Sequence, residues 1–77
     1  MKKSEIKTIA DRIVTKAKAV NVVVKHGESR CNKLMYELNG MLAILQTLDI
    51  EYEFDWDYTV QYMTRFKIPT YDIDIIL

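Results

Sequence analysis

The sequence has few of the residues that crosslink chains, bind metals or interrupt secondary structure. Its 77 residues include one cysteine, one histidine, one proline and two glycines. A single cysteine excludes an intrachain disulfide, and a lone thiol in a short chain is typical of a reducing compartment. Two isolated glycines do not make a glycine-rich phosphate loop. We therefore expect one small domain, residues 1–77, with no cofactor and no metal.

Long apolar segments are also missing. No run approaches the ~20 apolar residues that span a bilayer, and the first residues, MKKSE, lack the apolar part of a signal peptide. We expect a cytoplasmic protein without a membrane partner. A domain of this size buries only about 60% of its unfolded surface, so its core is marginal unless a partner adds to it.

Charge is balanced overall and uneven along the chain. Residues 1–35 carry nine Lys/Arg and three Asp/Glu, a balance of +6, whereas residues 36–77 carry two and eight, a balance of −6. Such asymmetry marks a candidate interaction surface, and it also allows the two halves to attract each other.

Residues 4–25 have the periodicity of a helix, because apolar side chains recur every three or four positions. Ser4 is a suitable N-cap and Gly27 a suitable C-terminal stop. The segment 20–24, VNVVV, is also compatible with a short strand. The apolar stripe continues through it and favours the helix: Ile6, Ile9, Ala10, Ile13, Val14, Ala17, Val20 and Val24.

Residues 29–48 predict a second helix, with apolar side chains close to heptad spacing. Gly40 interrupts it and lowers helix stability by roughly 1 kcal/mol relative to alanine. The periodicity nevertheless continues on both sides of Gly40. The two helices, joined near residues 26–28, form an antiparallel αα-hairpin.

After residue 48 the apolar period changes from 3.6 to 2. Residues 49–57, DIEYEFDWD, alternate carboxylates with large apolar side chains, as a half-buried strand does. We predict a β-hairpin with strands at about 50–56 and 60–68, followed by a short third strand at 71–76. The alternative for residues 56–67 is a helix, with Trp56, Val60, Met63 and Lys67 at helical spacing. The predicted class is α+β.

Catalytic groups cannot be assembled from these residue types. His26 and Cys31 lie five positions apart, and no further ligand or base is available at a fixed spacing to complete a metal site or a dyad. Ser4 and Ser29 are explained as helix caps. We therefore expect a protein that is not an enzyme.

The acidic strand supports three hypotheses. Its carboxylates form a solvated face that discourages edge-to-edge aggregation, or they pair with the lysine-rich first helix, or they mimic the phosphates of a nucleic acid. Alternate strand residues lie about 6.6–6.8 Å apart, which is close to the phosphate repeat of an extended strand. The candidate partner-binding residues are Glu51, Glu53, Asp55, Trp56, Asp57 and Tyr58.

Two further surfaces are candidates for binding. The first helix offers a possible nucleic-acid surface, although it lacks aromatic side chains for base stacking; its residues are Lys3, Lys7, Lys16, Lys18 and Lys25. A second apolar surface on the helices indicates a homodimer, with Val22, Val23, Tyr36, Gly40 and Ile44 at the interface. The alternative is that Tyr36 and Ile44 pack beneath the β-hairpin.

No motif is specific enough to indicate a family. The composition is typical of small accessory proteins from AT-rich genomes, which in phages and mobile elements often bind and inhibit a larger partner. We expect a non-enzymatic interaction protein that binds another protein through its charged surfaces. The alternative is a small nucleic-acid-binding regulator.

Overall fold

Two helices precede a three-stranded antiparallel sheet. The computed structural model describes residues 2–25, 31–57 and 62–77. The predicted helix–helix connection, the hairpin turn, His26 and Tyr58 lie outside these ranges. The elements are α1 Lys3–Lys25, α2 Cys31–Thr47, β1 Glu53–Asp57, β2 Tyr62–Ile68, a 3₁₀ turn Pro69–Tyr71 and β3 Ile73–Ile76. The predicted α+β class, helix pair and three strands are confirmed.

Helix α1 continues through the valine-rich segment 20–24, so the strand alternative for those residues is wrong. At the other end, the Lys2 carbonyl accepts the backbone N–H groups of Glu5 and Ile6 at 3.0 and 3.2 Å. Lys2 therefore occupies the N-cap position, and Ser4 lies inside the helix, where its own carbonyl accepts the Thr8 hydroxyl. The prediction that Ser4 is the N-cap was therefore wrong.

Helix α2 ends in a Schellman motif that the sequence prediction missed. Asp49 adopts a left-handed conformation with φ of 58°. Its N–H donates to the Gln46 carbonyl at 3.0 Å, and the Ile50 N–H donates to the Leu45 carbonyl at 2.9 Å. This pairing is the pattern of that motif, which usually has glycine at the left-handed position. Asp49 and Ile50 thus belong to the helix end, and β1 begins at Glu53, not near residue 50.

The sheet has the order β1-β2-β3, so β2 is central and the other two strands are edges. Residues 62–68 form a strand, which excludes the helix alternative for that segment. Asp55 lies opposite Arg65, whereas Trp56 lies opposite Met63. Thr64 is therefore the extra residue of a β-bulge, and its hydroxyl donates to the Asp55 carbonyl at 3.3 Å.

Helix α1 crosses the middle of the sheet and packs against β2, β3 and α2. The side-chain amide of Asn21, on α1, donates to the Met63 carbonyl and accepts the Met63 N–H. These two hydrogen bonds fix α1 on the bulged strand. Residues of α1, α2, β2 and β3 form the buried core. They are Ile6, Ala10, Ile13, Val14, Ala17, Val20, Leu38, Leu42, Leu45, Met63, Phe66, Ile68 and Ile73. All five residues of β1 are described, and none of them is fully buried.

Candidate functional site

The carboxylates of β1 lie on the outer face of the sheet. Glu53 is opposite Lys67 and Asp55 is opposite Arg65 in the β1–β2 register. Directly opposite residues of an antiparallel pair share a face. Glu53, Asp55 and Asp57 are all exposed. The predicted amphipathic strand is therefore present over the five residues of β1.

Basic side chains on β2 form ion pairs with acidic side chains on both neighbouring strands. The Lys67 ammonium lies 3.6 Å from a Glu53 carboxylate oxygen. The Arg65 guanidinium donates two hydrogen bonds to Asp74 on β3, one of them at 2.7 Å. Bonding to Asp74, with the added charge of Asp55, raises the pKa of Arg65, and the bond from Arg65 lowers the pKa of Asp74. The outer face is thus a mixed-charge surface.

For Glu53 and Asp55, this arrangement corrects the hypothesis that the acidic strand pairs with the first helix of its own chain. The bases that face these two carboxylates belong to β2, because the strand register brings Lys67 and Arg65 beside them. Two of the α1 lysines have other acidic partners. The Lys16 ammonium bonds Glu37 on α2, and the Lys7 ammonium bonds Asp11 at 2.9 Å.

The five candidate nucleic-acid-binding lysines do not share one face. Lys16 is half-buried at the α1–α2 contact, where its hydrogen bond and charge lower the pKa of Glu37. The other four are exposed on α1: Lys3, Lys7, Lys18 and Lys25. A phosphate-binding surface on α1 would therefore not include Lys16.

The candidate dimer residues fall into two groups. Tyr36, Gly40 and Ile44 follow one another at intervals of four residues, which aligns them along α2. Tyr36 is 78% exposed and Ile44 is 51% exposed, so neither packs beneath the hairpin. Gly40 has open space where a Cβ would stand. Val22 is exposed and Val23 half-buried, and both belong to α1.

The structure reveals an apolar groove that the sequence prediction did not include. The groove lies between α2 and β1 and has a volume of about 390 Å³. Leu38, Leu42 and Met63 are buried residues at its base. Phe54 and Trp56 line it from β1, while Met35 and Asn39 line it from α2.

Aromatic side chains follow the groove along β1. Phe54 lies opposite the buried Phe66, so both rings face the helices. Phe54 nevertheless remains 41% exposed. Its ring stacks on Tyr52 at a centroid distance of 6.4 Å and meets Trp56 edge-on at 6.5 Å. Thus the aromatic side of the predicted strand faces α2 without being covered by it.

The two remaining predicted site residues within the described ranges lie before and within β1. Glu51 is exposed in the segment before β1, and Trp56 is half-buried. Gln46 at the end of α2 donates to the Tyr52 hydroxyl at 3.1 Å, which closes one end of the gap between α2 and β1. A sequence signal for the groove did exist: α2 carries apolar residues on more than one side, which exceeds what one packing contact needs.

Within residues 2–25, 31–57 and 62–77, no cluster of histidine, cysteine and acidic side chains is arranged to hold a metal ion. In the same residues, neither helix combines the length and the apolar character that a bilayer crossing requires.

No known protein family, no curated protein and no solved structure matches this chain.

Proposed function

We propose that this chain is a non-enzymatic interaction protein that binds a larger protein through the groove between α2 and β1 and thereby modulates or inhibits it. The observation that carries the proposal is the position of Phe54, a large aromatic side chain that lies 41% exposed in an apolar groove on an edge strand. Aromatic anchors buried in pockets contribute much of the affinity of protein interfaces.

The shape of the groove favours a macromolecular partner. It is open along one side, so it does not enclose a small ligand as a typical cofactor pocket does. Its base is formed by Leu38, Leu42 and Met63, which are already well packed. A partner side chain placed against Phe54 and Trp56 would complete this part of the core at little cost in rearrangement.

The carboxylates of β1 then form the polar rim of the same surface. Lys67 lies beside Glu53 and Arg65 lies opposite Asp55, so bases are mixed with the acids on this face, which weakens the hypothesis that β1 mimics a nucleic acid. Rim charges orient a partner and accelerate association more than they increase affinity. We assign that role to Glu51, Glu53 and Asp55, in a cytoplasmic accessory protein.

Site-specific crosslinking tests the proposal. A photoreactive phenylalanine analogue at Phe54 should crosslink to a larger protein in native-host extract. The same analogue at Ile76, which is 75% exposed on β3, is the matched control and should give no such product. Equal crosslinking at both positions, no protein product at Phe54, or crosslinks to nucleic acid alone would each contradict the proposal.

A second surface favours self-association. We infer that α2 pairs with α2 of a second copy about a two-fold axis through Gly40. An antiparallel pairing there sets Tyr36 of each copy against Ile44 of the other, and the space beside Gly40 allows close approach. Only two of the 17 residues of α2 are charged, Lys33 and Glu37, so this pairing brings few charges together.

Analytical ultracentrifugation at micromolar concentration tests the homodimer. The wild type should sediment as a dimer and Ile44→Asp as a monomer, because a buried unpaired carboxylate opposes association. Ile76→Asp, at a more exposed apolar position on the sheet, should remain dimeric. A monomeric wild type, or equal dissociation of both variants, would rule out this interface.

A further inference from the structure

We propose that the free edge of β1 receives an extended peptide in which apolar and basic residues alternate, so that the peptide adds a fourth strand to the sheet. This inference rests on the proposed function and specifies the chemistry of the partner. It follows from three properties of one strand: an open backbone edge, an apolar groove on one face and carboxylates on the other.

The backbone of β1 is available on one side. Among the described strands, β2 alone pairs with β1, so the opposite edge has no strand beside it. Alternate residues of an edge strand direct their N–H and C=O groups away from the sheet. An extended peptide can pair with those groups in the manner of β-strand addition, which supplies main-chain hydrogen bonds independent of the peptide sequence.

The helix-facing side of β1 selects apolar residues in the peptide. An added strand lies about 4.8 Å from its neighbour, and its alternate side chains are about 6.6–6.8 Å apart. That repeat matches the spacing of Phe54 and Trp56 along β1. Side chains opposite these two residues would enter the groove above Leu38 and Leu42. The groove thus recognises every second residue of the peptide.

The outer side of β1 selects basic residues between them. The β1–β2 register already provides the pattern, since Lys67 lies opposite Glu53 and Arg65 opposite Asp55. A strand on the other edge of β1 would place its own side chains opposite the same carboxylates. Opposite-charge pairs across neighbouring strands are favourable and like-charge pairs are unfavourable. The fitting peptide therefore resembles β2 in its charge pattern.

The described strands of a second copy do not meet this requirement. Antiparallel pairing of β1 with another β1 sets the carboxylates of Glu53 and Asp55 against one another. The outer row of β3 carries Asp74 and Ile76, and β2 is paired on both edges. The occupant is therefore a segment of a different protein.

Synthetic peptides of about seven residues, a typical strand length, test this directly. The first alternates isoleucine with lysine and has blocked ends. The second replaces lysine with glutamate. The third keeps the isoleucine–lysine sequence and carries N-methyl groups on alternate amides, which removes backbone donors. Trp56 is the single tryptophan of the chain and lines the groove, so its fluorescence reports occupation of the site.

We expect the lysine peptide to shift the Trp56 emission and to bind at least about tenfold more tightly than either control peptide, because several cross-strand pairs and main-chain bonds change together. Amide hydrogen exchange in β1 should slow on binding. Glu53→Gln with Asp55→Asn, which keeps shape and removes charge, should abolish the preference for lysine over glutamate. Circular dichroism confirms that this variant is folded.

Three results would overturn the inference: equal binding of all three peptides, retained lysine preference in the neutral variant, or protection at α2 instead of β1. If no peptide binds while Phe54 still crosslinks to a host protein, the strand-addition inference fails and the proposed function stands. If neither occurs, both fail.

Discussion

Helices α1 and α2 share an amphipathic sequence pattern and differ in how completely the sheet covers them. Helix α1 lies over the central strand and buries an uninterrupted stripe from Ile6 to Val20. Helix α2 buries Leu38, Leu42 and Leu45, leaves Tyr36 and Ile44 exposed on one side and has Met35 only half-buried beside the groove. The sheet is three strands wide, so α1 occupies its centre and α2 lies above its β1 margin.

This difference separates stability from binding. The contacts between α1 and β2 are buried and satisfied, with Asn21 bonded to Met63 at their centre. The contact between α2 and β1 is incomplete, because an open groove remains between α2 and the side chains of Phe54 and Trp56. We therefore expect substitutions on the α1–β2 side to lower the free energy of unfolding and those on the α2–β1 side to lower partner affinity.

The largest predicted effect compares two phenylalanines that lie opposite each other. Phe66 is fully buried, whereas Phe54 is 41% exposed. Phe66→Ala should lower the free energy of unfolding by about 3–5 kcal/mol, through lost burial and the cavity left behind. Phe54→Ala should cost about 1 kcal/mol, because less apolar surface returns to water. Urea denaturation of both variants provides the measurement.

A domain of this size has a total stability of roughly 4–11 kcal/mol, so Phe66→Ala will be near its unfolding limit. Phe66→Leu retains most of the volume and keeps the measurement accessible, with an expected loss of about 1–2 kcal/mol. Equal losses for Phe66→Ala and Phe54→Ala would show that β1 belongs to the core, and the contrast between the two sides would fail.

An intermediate effect compares two asparagines, one on each helix. The Asn21 amide donates to the Met63 carbonyl at 3.0 Å and accepts the Met63 N–H at 3.1 Å. Asn21→Ala leaves both partly buried backbone groups without this partner, which should cost about 2 kcal/mol. Asn39 is exposed on α2, and Asn39→Ala should change stability by about 0.5 kcal/mol or less.

Urea denaturation also measures the free energy of unfolding of both asparagine variants. Hydrogen exchange adds a local test, because loss of the Asn21 bonds should increase exchange in β2 near the bulge before it affects α2. Similar destabilisation by the two alanine substitutions would mean that α1 is not fixed to the sheet through Asn21, which would remove the main polar anchor of the α1–β2 side.

Local periodicity was sufficient to predict the element types, because helices and strands repeat at 3.6 and 2 residues respectively. The boundaries depended on features that periodicity does not encode. Asp49 takes the left-handed position that normally indicates glycine, so the helix end appeared to be the start of the strand. The bulge at Thr64 likewise shifts the register in a way that no turn residue announces.

The candidate site was predictable in part for the same reason. Alternation identified the exposed carboxylates of β1, since that pattern is local. Their pairing with Lys67 and Arg65 depends on the strand register, and the groove depends on where α2 lies relative to β1. Both are tertiary properties. The sequence indicated surplus apolar surface on α2 without indicating which element left it exposed.

The smallest predicted effect concerns the ion pair that joins the two helices. The hydrogen bond and charge of Lys16 lower the pKa of Glu37 from its usual value of 4.5. The unfolded state therefore takes up the proton first as the pH falls, and stability present above pH 4.5 is lost as the pH decreases through the folded-state pKa.

Glu37→Gln should remove this contribution, so its unfolding midpoint in urea should depend less on pH than that of the wild type as the pH falls from neutral through 4.5. Added salt should reduce the difference in pH dependence between the wild type and Glu37→Gln, since the Lys16–Glu37 ion pair is partly solvated. Asn39→Ala, an exposed change on the same helix that removes no ionisable group, is the matched control and should keep the wild-type pH dependence. Because Lys16–Glu37 connects α2 to α1, a wild-type pH dependence in Glu37→Gln would mean that this ion pair does not contribute to holding α2 in place.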